Sequence, residues 1–211
     1  MKKTTVILDY GYGNIYSLKS ALAKIGVKSQ NTRELKKILN SKLIILPGVG
    51  SFSQAMNAIR SLNLDKAIKQ ALKNDAKVLG ICLGYQMLFT ESEEFGINKG
   101  LGLIRGKVKS LNKSVNSIER VPNVGWRPLI LSNQNKILKQ CFNGKMVYFV
   151  HSFVPEVEDI KKVSTFIKFG ENKIHSSIHT NNIVGFQYHP EKSGEIGLRI
   201  LRDTINYLFK N

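Results

Sequence analysis

The stretch Lys77-Val-Leu-Gly-Ile-Cys-Leu-Gly84 constrains this chain more than any other. An apolar run of strand length, Lys77 to Ile81, ends on a cysteine with a glycine two residues away on each side. A side chain at such a strand-to-helix switch sits on a strained backbone, and flanking glycines make the sharp turn sterically possible. The helix expected behind it, Leu83 to Thr90, would offer free N–H groups and a positive dipole end, able to lower a thiol pKa and hold a developing oxyanion. Cys82 is thereby a candidate nucleophile. The competing reading is a structural cysteine, since free cysteine is often buried, but packing gives no reason for the glycine pair. Cys141, in Lys139-Gln-Cys-Phe-Asn143, has no such setting and reads as structural.

Alternating strand and helix signals surround this elbow. Val6–Leu8 reads as a short buried strand, and apolar residues at helical spacing run from Ile15 to Ile25, where Gly26 stops them. Val27–Gln30 suggests a second strand, and Leu43-Ile-Ile-Leu46 a third, apolar on both faces as a covered parallel strand is. Ser51–Asn74 reads as helix with a break near Asn63. Strands followed by helices through glycine-rich switches imply an α/β sheet with active loops at the strand ends. The second half changes character. Leu103–Leu111, Lys145–Val150, Ser164–Phe169, Lys173–Thr180 and Ile183–Tyr188 are strand-like runs. Glu171-Asn172 and Asn181-Asn182 look like hairpin turns between antiparallel strands. A last helix is expected from Glu195 to Phe209. No proline-rich linker or internal repeat interrupts the chain, so residues 1–211 read as one domain.

Composition limits the partners. The 211 residues carry 32 Lys+Arg against 15 Asp+Glu, a formal net charge of +17, which raises an anionic partner such as nucleic acid. The lysines are scattered, with doublets at Lys2-Lys3, Lys36-Lys37 and Lys161-Lys162 and no longer block. No zinc-finger, RNA-binding or helicase motif accompanies them, so a solvated surface is the better reading. No apolar stretch approaches the ~20 residues of a membrane span, and the N-terminal run reads as a strand rather than a signal peptide. Two cysteines build no disulfide framework, which fits a reducing cytoplasm.

A thiolate nucleophile needs a base and a group to orient it. His189-Pro-Glu191, at the end of the Ile183–Tyr188 strand, supplies both types. In an extended segment the two side chains would point to opposite faces, so the carboxylate meets the imidazole only if the chain turns there. His175 and His179 are four apart, a metal spacing on a helix, but their run reads as strand and supplies no third ligand; no metal is expected. Pro47-Gly-Val-Gly50 follows the other fully apolar strand, where its tip could lie beside Cys82 and donate a backbone N–H to an oxyanion. Tyr10-Gly-Tyr-Gly-Asn14 lacks the third glycine of a dinucleotide fingerprint, and no Walker lysine is present, so no nucleotide cofactor is expected.

Three segments together, Leu46-Pro-Gly-Val-Gly50, Gly80-Ile-Cys-Leu-Gly-Tyr-Gln86 and Gly185-Phe-Gln-Tyr-His-Pro-Glu191, resemble the class I glutamine amidotransferases. Within that class the chain is similar to the glutaminase subunits of imidazole glycerol phosphate synthases. That narrower likeness rests on Asp9-Tyr-Gly-Tyr-Gly-Asn-Ile15, Val121-Pro-Asn-Val-Gly-Trp126, Tyr148-Phe-Val-His-Ser152 and Glu191-Lys-Ser193. The resemblance implies a flavodoxin-like three-layer fold, with a central mostly parallel sheet and an antiparallel extension. It implies L-glutamine as substrate, Cys82 as nucleophile, His189 as proton shuttle, Glu191 as its orienter, and the backbone of Val49 and Leu83 as oxyanion donors. By the same resemblance Gly50, Gln86, Glu94, His151, Ser152 and Phe153 line the glutamine pocket. Asn14, Asn123, Trp126, Arg127, Tyr148 and Lys192 fall where ammonia passes to a (β/α)8-barrel synthase subunit in a heterodimer. The family usually has histidine at the place of Asn123, asparagine at Arg127 and tyrosine at Phe153. Related pairs serve an activated sugar in surface-polysaccharide synthesis, and a stand-alone cysteine hydrolase or peptidase would also need an elbow.

Overall fold

The computed structural model describes residues 4–114 and 120–210, so the Lys2-Lys3 doublet and the chain ends lie outside the described residues. The first half builds β1 (Thr5–Leu8), α1 (Ile15–Lys24), β2 (Ser29–Thr32), α2 (Leu35–Leu39), β3 (Leu43–Leu46), α3 (Phe52–Ser61), α4 (Leu64–Lys73), β4 (Lys77–Ile81) and α5 (Leu83–Gln86). Asn14 caps α1 by accepting the Ser17 N–H at 3.1 Å. The expected break between α3 and α4 falls on Asn63, which takes a left-handed φ of 53°. The second strand starts two residues later than expected, because the Val27 N–H closes α1 onto the Leu22 carbonyl.

After α5 come β5 (Glu91–Ser92), β6 (Asn98–Lys99), β7 (Gly106–Ser110), α6 (Leu111–Ser114), β8 (Asn123–Pro128), β9 (Ile130–Leu131), β10 (Met146–His151), β11 (Phe153–Val157), β12 (Val163–Phe169), β13 (Asn172–His179), β14 (Ile183–Phe186) and α7 (Gly194–Lys210). The large sheet has the order β2-β1-β3-β4-β14-β13-β12-β9. Its strands from β2 to β14 pair parallel, and those from β14 to β9 antiparallel. The expected mostly parallel sheet with an antiparallel extension is present. Helices cover both faces. Val6, Leu8, Ile44, Leu46 and Val78 pack toward α3 and α4, while Ile7, Leu43, Ile45, Leu79 and Ile81 pack toward α1 and α7. Two-residue alternation along buried strands thus makes two cores and three layers.

The departures from the sequence reading have local causes. The helix behind Cys82 is one turn, not the span to Thr90, because neighbouring backbone captures its next carbonyls. Leu101 N–H bonds Met87, Gly102 N–H bonds Phe89, and Leu103 and Ile104 N–H both bond Leu88. That capture also shortens the expected Leu103–Leu111 strand to β7. The β12–β13 hairpin pairs Phe169 with Asn172, so Gly170 and Glu171 form the turn, with Gly170 at a φ of 58°. Strands β8 and β11 were not expected at all. They build two smaller sheets, β10-β8 and β11-β7-β5-β6, against the carboxyl end of the large one.

Candidate active site

Cys82 and His189 meet because their strands are neighbours. Register pairs Gly185 with Gly80 and Phe186 with Ile81, and the Cys82 N–H donates to the Phe186 carbonyl at 2.7 Å. Both chains then leave the sheet at its carboxyl end, the usual place for a site in an open parallel sheet. Cys82 itself has a φ of 54° and a ψ of −110°, the strained geometry of a nucleophile on an elbow. The glycines are required for that geometry. A methyl group on Gly80 would lie 2.8 Å from the Gly84 oxygen, and one on Gly84 would collide with the Leu46 carbonyl oxygen. Gly48 rests on the same elbow, where a methyl group would meet Gly84 N at 2.7 Å. The Pro47–Gly50 turn therefore lies beside Cys82, and the Tyr10 hydroxyl donates to the Pro47 carbonyl to hold it. With only one helical turn behind Cys82, the dipole contribution expected from a longer helix is small. Oxyanion support falls to individual backbone N–H groups.

The chain does turn after His189. A 3₁₀ turn over Pro190–Lys192 swings the Glu191 carboxylate back, so Oε1 accepts from His189 Nδ1 at 2.7 Å. Both side chains are buried, at 2% and 4% exposure. His189 Nε2 has no hydrogen-bond partner among the described residues, and no hydrogen bond of ordinary geometry closes between it and the Cys82 sulfur. Burial pulls the His189 pKa down, but the Cys82 sulfur and the Glu191 carboxylate outweigh it and raise the value to about 10. The imidazolium is thus the favoured form. Ser193 Oγ donates to the His189 carbonyl at 2.6 Å and accepts from Tyr148 N–H at 3.0 Å. The His189 N–H bonds the Tyr148 carbonyl at 2.9 Å, so strand β10 pins the base in place.

A cleft of about 500 Å³ opens above this pair. Val49, Gly50, Cys82, Leu83, Gln86, Glu94, His151, Ser152, Phe153 and His189 all line it. Glu94 Oε2 accepts the first N–H of α3, from Phe52, at 2.7 Å; burial raises its pKa although that N–H lowers it. Gln86 Nε2 donates to the Phe153 carbonyl at 2.9 Å and to Gln187 Oε1 at 3.1 Å. With both amide hydrogens committed, Gln86 has its oxygen left for a ligand. Gln187, fully buried, was not singled out from sequence. Its Nε2 lies 3.9 Å from the Cys82 sulfur; its place two residues before His189 on a buried strand end was the available signal. Phe95, Pro122 and Val150 complete the lining and were likewise missed.

The remaining expected residues separate onto two faces of the β8–β10 ribbon. Cross-strand register puts Trp126 opposite Tyr148 and Val124 opposite Val150. Trp126 is 50% exposed, its ring edge-on to Tyr148 at 6.0 Å. With Val124, Met146 and Val150 they form an exposed apolar face. Asn123 and Arg127 alternate to the inner side. Asn123 is fully buried, so Asn123, Trp126, Arg127 and Lys192, expected together where ammonia passes to a partner, do not form a single surface. Lys192 is exposed in the turn after Glu191, and Asn14 borders His189 and Glu191 from the α1 side. His175 and His179, both on β13, stand about 13 Å apart along the strand and bond separately, to Val157 N–H and to Ser164. Cys141 is exposed rather than buried, beside Arg199.

Comparison with known proteins follows the same lines. The family described as glutamine amidotransferase class-I matches residues 6–206. Imidazole glycerol phosphate synthase subunit HisH of Chlorobium chlorochromatii (strain CaD3) is 37% identical over 195 residues, 92% of this chain and 96% of that protein. Imidazole glycerol phosphate synthase hisHF, chloroplastic, of Arabidopsis thaliana is 41% identical over 198 residues, 93% of this chain and 33% of that protein. Among solved structures, one described as a glutamine amidotransferase superposes with a TM-score of 0.72 at 16% identity, covering 97% of this chain and 98% of that one. PurLQS from Thermotoga maritima gives 0.71 at 20% identity, over 99% and 100%. At those identities the structures speak for the fold.

Proposed function

The chain belongs to the class I glutamine amidotransferases, and we propose that it is the glutaminase subunit of an imidazole glycerol phosphate synthase, releasing ammonia for histidine biosynthesis. The observation that carries the chemistry is the Glu191–His189 bond of 2.7 Å, with His189 Nε2 left over beside Cys82 on the adjacent strand end. The Cys82 thiolate attacks the side-chain carbonyl carbon of L-glutamine, and backbone N–H groups of Leu83 and Val49 hold the oxyanion. Protonated His189 gives its Nε2 proton to the departing nitrogen, so the C–N bond breaks, ammonia leaves and a γ-glutamyl thioester remains. His189, now neutral, takes a proton from water as it attacks the thioester; glutamate leaves and the thiolate–imidazolium pair is restored. Gln86 and Glu94 hold the amino-acid end of the substrate, under the His151–Phe153 segment.

Two features support a synthase partner of (β/α)8-barrel type. Ammonia released into water at neutral pH is protonated and loses its nucleophilicity, so the site needs a covered exit. The apolar face of Val124, Trp126, Met146, Tyr148 and Val150 reaches the cleft at Val150, which lines it. A free-standing peptidase has no use for such a face, which exposed would promote association. Glycine-flanked Val49, with Gly50 at a φ of 98°, is the peptide that can reorient at low cost when the partner binds its own substrate. We place the protein in a reducing compartment, where Cys82 stays a thiol. The test supplies this chain in turn with a histidine-pathway barrel and with a sugar-pathway barrel from the same cell. Imidazole glycerol phosphate formed with glutamine as nitrogen source supports the reading. Product from the activated sugar alone would transfer the glutaminase to that pathway.

A further inference from the structure

The inner face of the β8–β10 ribbon carries a chain of hydrogen bonds whose two ends have fixed polarity. Arg127 Nε donates to Asn123 Oδ1 at 3.1 Å. Asn123 Nδ2 lies 2.9 Å from His151 Nε2, and His151 Nδ1 lies 2.8 Å from the Phe153 carbonyl oxygen. A guanidinium only donates and a carbonyl oxygen only accepts. With the ends so fixed, each group between them has one orientation. The amide oxygen must face Arg127, so its NH₂ faces the ring; Nε2 must then accept, so the ring proton sits on Nδ1 and satisfies Phe153. Neither ring nitrogen is left for a ligand, although His151 lines the cleft.

We propose that Arg127 and Asn123 are positioning residues of the glutaminase site, locking His151 in its neutral Nδ1–H tautomer and, through the Phe153 carbonyl, setting the side chains that surround Cys82. The inference rests on the glutaminase reading. Beyond the family's common pattern of histidine and asparagine at these two places, this chain has a donor-only residue at the far end, which enforces the direction that the acceptor-only Phe153 carbonyl sets at the other. The same Phe153 carbonyl takes the Gln86 amide at 2.9 Å, whose other hydrogen orients Gln187 at 3.1 Å, whose NH₂ is turned to the Cys82 sulfur at 3.9 Å. In the opposite tautomer the Nδ1 lone pair would face that oxygen, repel it, and loosen the anchor of Gln86. The charged groups around His151 agree with a neutral ring. Burial lowers its pKa to about 4, the Phe153 carbonyl opposes that, and His189 and Arg127 add to the lowering. Its other neighbour on β10, Phe149, is apolar, with its ring 5.7 Å away.

The test labels the histidine rings with ¹⁵N and reads which His151 nitrogen bears hydrogen, in the full chain, beside glutaminase kinetics with the barrel bound. Wild type should show Nδ1–H from pH 6 to 9. Arg127→Met, similar in length and without a donor, should give mixed tautomers and lower kcat/KM for glutamine by about tenfold, the scale of one buried polar group left unpaired. Arg127→Lys, again donor-only, should restore one tautomer and most of the activity. Asn123→Asp, isosteric and acceptor-only, should place hydrogen on both nitrogens at neutral pH, and serves where Arg127→Met does not fold. A ring that remains Nδ1–H in Arg127→Met and in Asn123→Asp overturns the proposal, whether or not activity falls, because Arg127 would then act by its contact with the Phe169 ring. Failure of the wild-type chain to cleave glutamine with any barrel would remove the glutaminase reading, while the ring spectra still decide the lock.

Discussion

Two regions meet over the cleft and are held in different ways. The triad stands on the parallel sheet, where register with buried neighbours on both sides leaves Cys82 and His189 one relative position. The cleft's other wall stands on the β8–β10 ribbon, two strands whose outer side is exposed to solvent and whose inner side sets Asn123, Arg127 and His151 beside the buried Val147 and Phe149. The lesson is a division of labour. Bond-making groups are fixed by strands buried on both faces, and the groups that shape the pocket and face a partner stand on a ribbon buried on one face only. The two are joined by the Tyr148 contacts to His189 and Ser193 and by Val147 and Phe149, which pack into the core of the sheet, the Phe149 ring 5.7 Å from that of Tyr188. Mutations on the sheet should therefore abolish chemistry or folding, and mutations on the ribbon should tune or uncouple it.

The largest effect is expected at the nucleophile. Cys82→Ala should cut glutamine hydrolysis by about 10⁴-fold or more with circular dichroism unchanged, whereas Cys141→Ala should keep near-wild-type turnover. Labelling of Cys141 and not Cys82 by an electrophilic glutamine analogue would reverse the assignment. Glu191→Gln removes the charge that holds His189 protonated and oriented, and should cost about 10²- to 10⁴-fold, the usual range for disabling acid–base catalysis. Initial-rate assays with the barrel bound read both.

Gly84→Ala tests the sheet as a scaffold. A methyl group there collides with the backbone of Leu46, and neither strand end can move without breaking register. Destabilisation of about 2–4 kcal/mol is expected, the range for overpacking and backbone strain in a core, measured by urea unfolding. Stability unchanged from wild type would mean that the elbow is softer than its contacts indicate. This half of the molecule was legible in the sequence for the reason that makes it rigid. The short apolar runs Leu43–Leu46 and Lys77–Ile81 announce buried parallel strands, and Gly80 and Gly84 announce the strand-to-helix elbow at Cys82. The ribbon was not legible. Asn123-Val-Gly-Trp-Arg-Pro128 alternates as a strand does, but without knowing that it is one, nothing separates the side of Trp126 from the side of Asn123. Gln187 stayed hidden because an amide between two strand-core residues has no local signal of what it bonds.

A smaller, pH-dependent effect follows from the raised His189 pKa, near 10 in the folded chain against about 6.5 unfolded. A group whose pKa rises on folding contributes stability that is full below the unfolded value and is lost as pH climbs through the folded one. Unfolding free energy should thus decline between about pH 6.5 and pH 10. In Cys82→Ala the sulfur that helps raise the value is gone, so the decline should end at lower pH and its total be smaller. The same end point and total for the two proteins would show that Glu191 alone holds the proton, and that the sheet-borne pair is less tightly coupled than its geometry implies.

The smallest effect on the chain itself is expected at Trp126, and it sharpens the contrast most. A core tryptophan cut to alanine would cost several kcal/mol, but Trp126 is half exposed, and its main ring contact is the edge of Tyr148. Trp126→Ala should therefore shift the urea midpoint only slightly, within about 1 kcal/mol. The glutaminase rate of the isolated chain should stay the same, since no atom of the triad touches that ring. What should fall is partner-stimulated ammonia transfer, because large exposed aromatics carry much of the energy of a docking face. The readout is the ratio of synthase product formed to glutamate released, with both partners present at saturating concentration. A ratio near one in wild type that drops in the variant, at unchanged stability, assigns the outer face of the ribbon to coupling. Unfolding of the variant would instead make Trp126 part of the scaffold, and the two regions would no longer be separable by mutation.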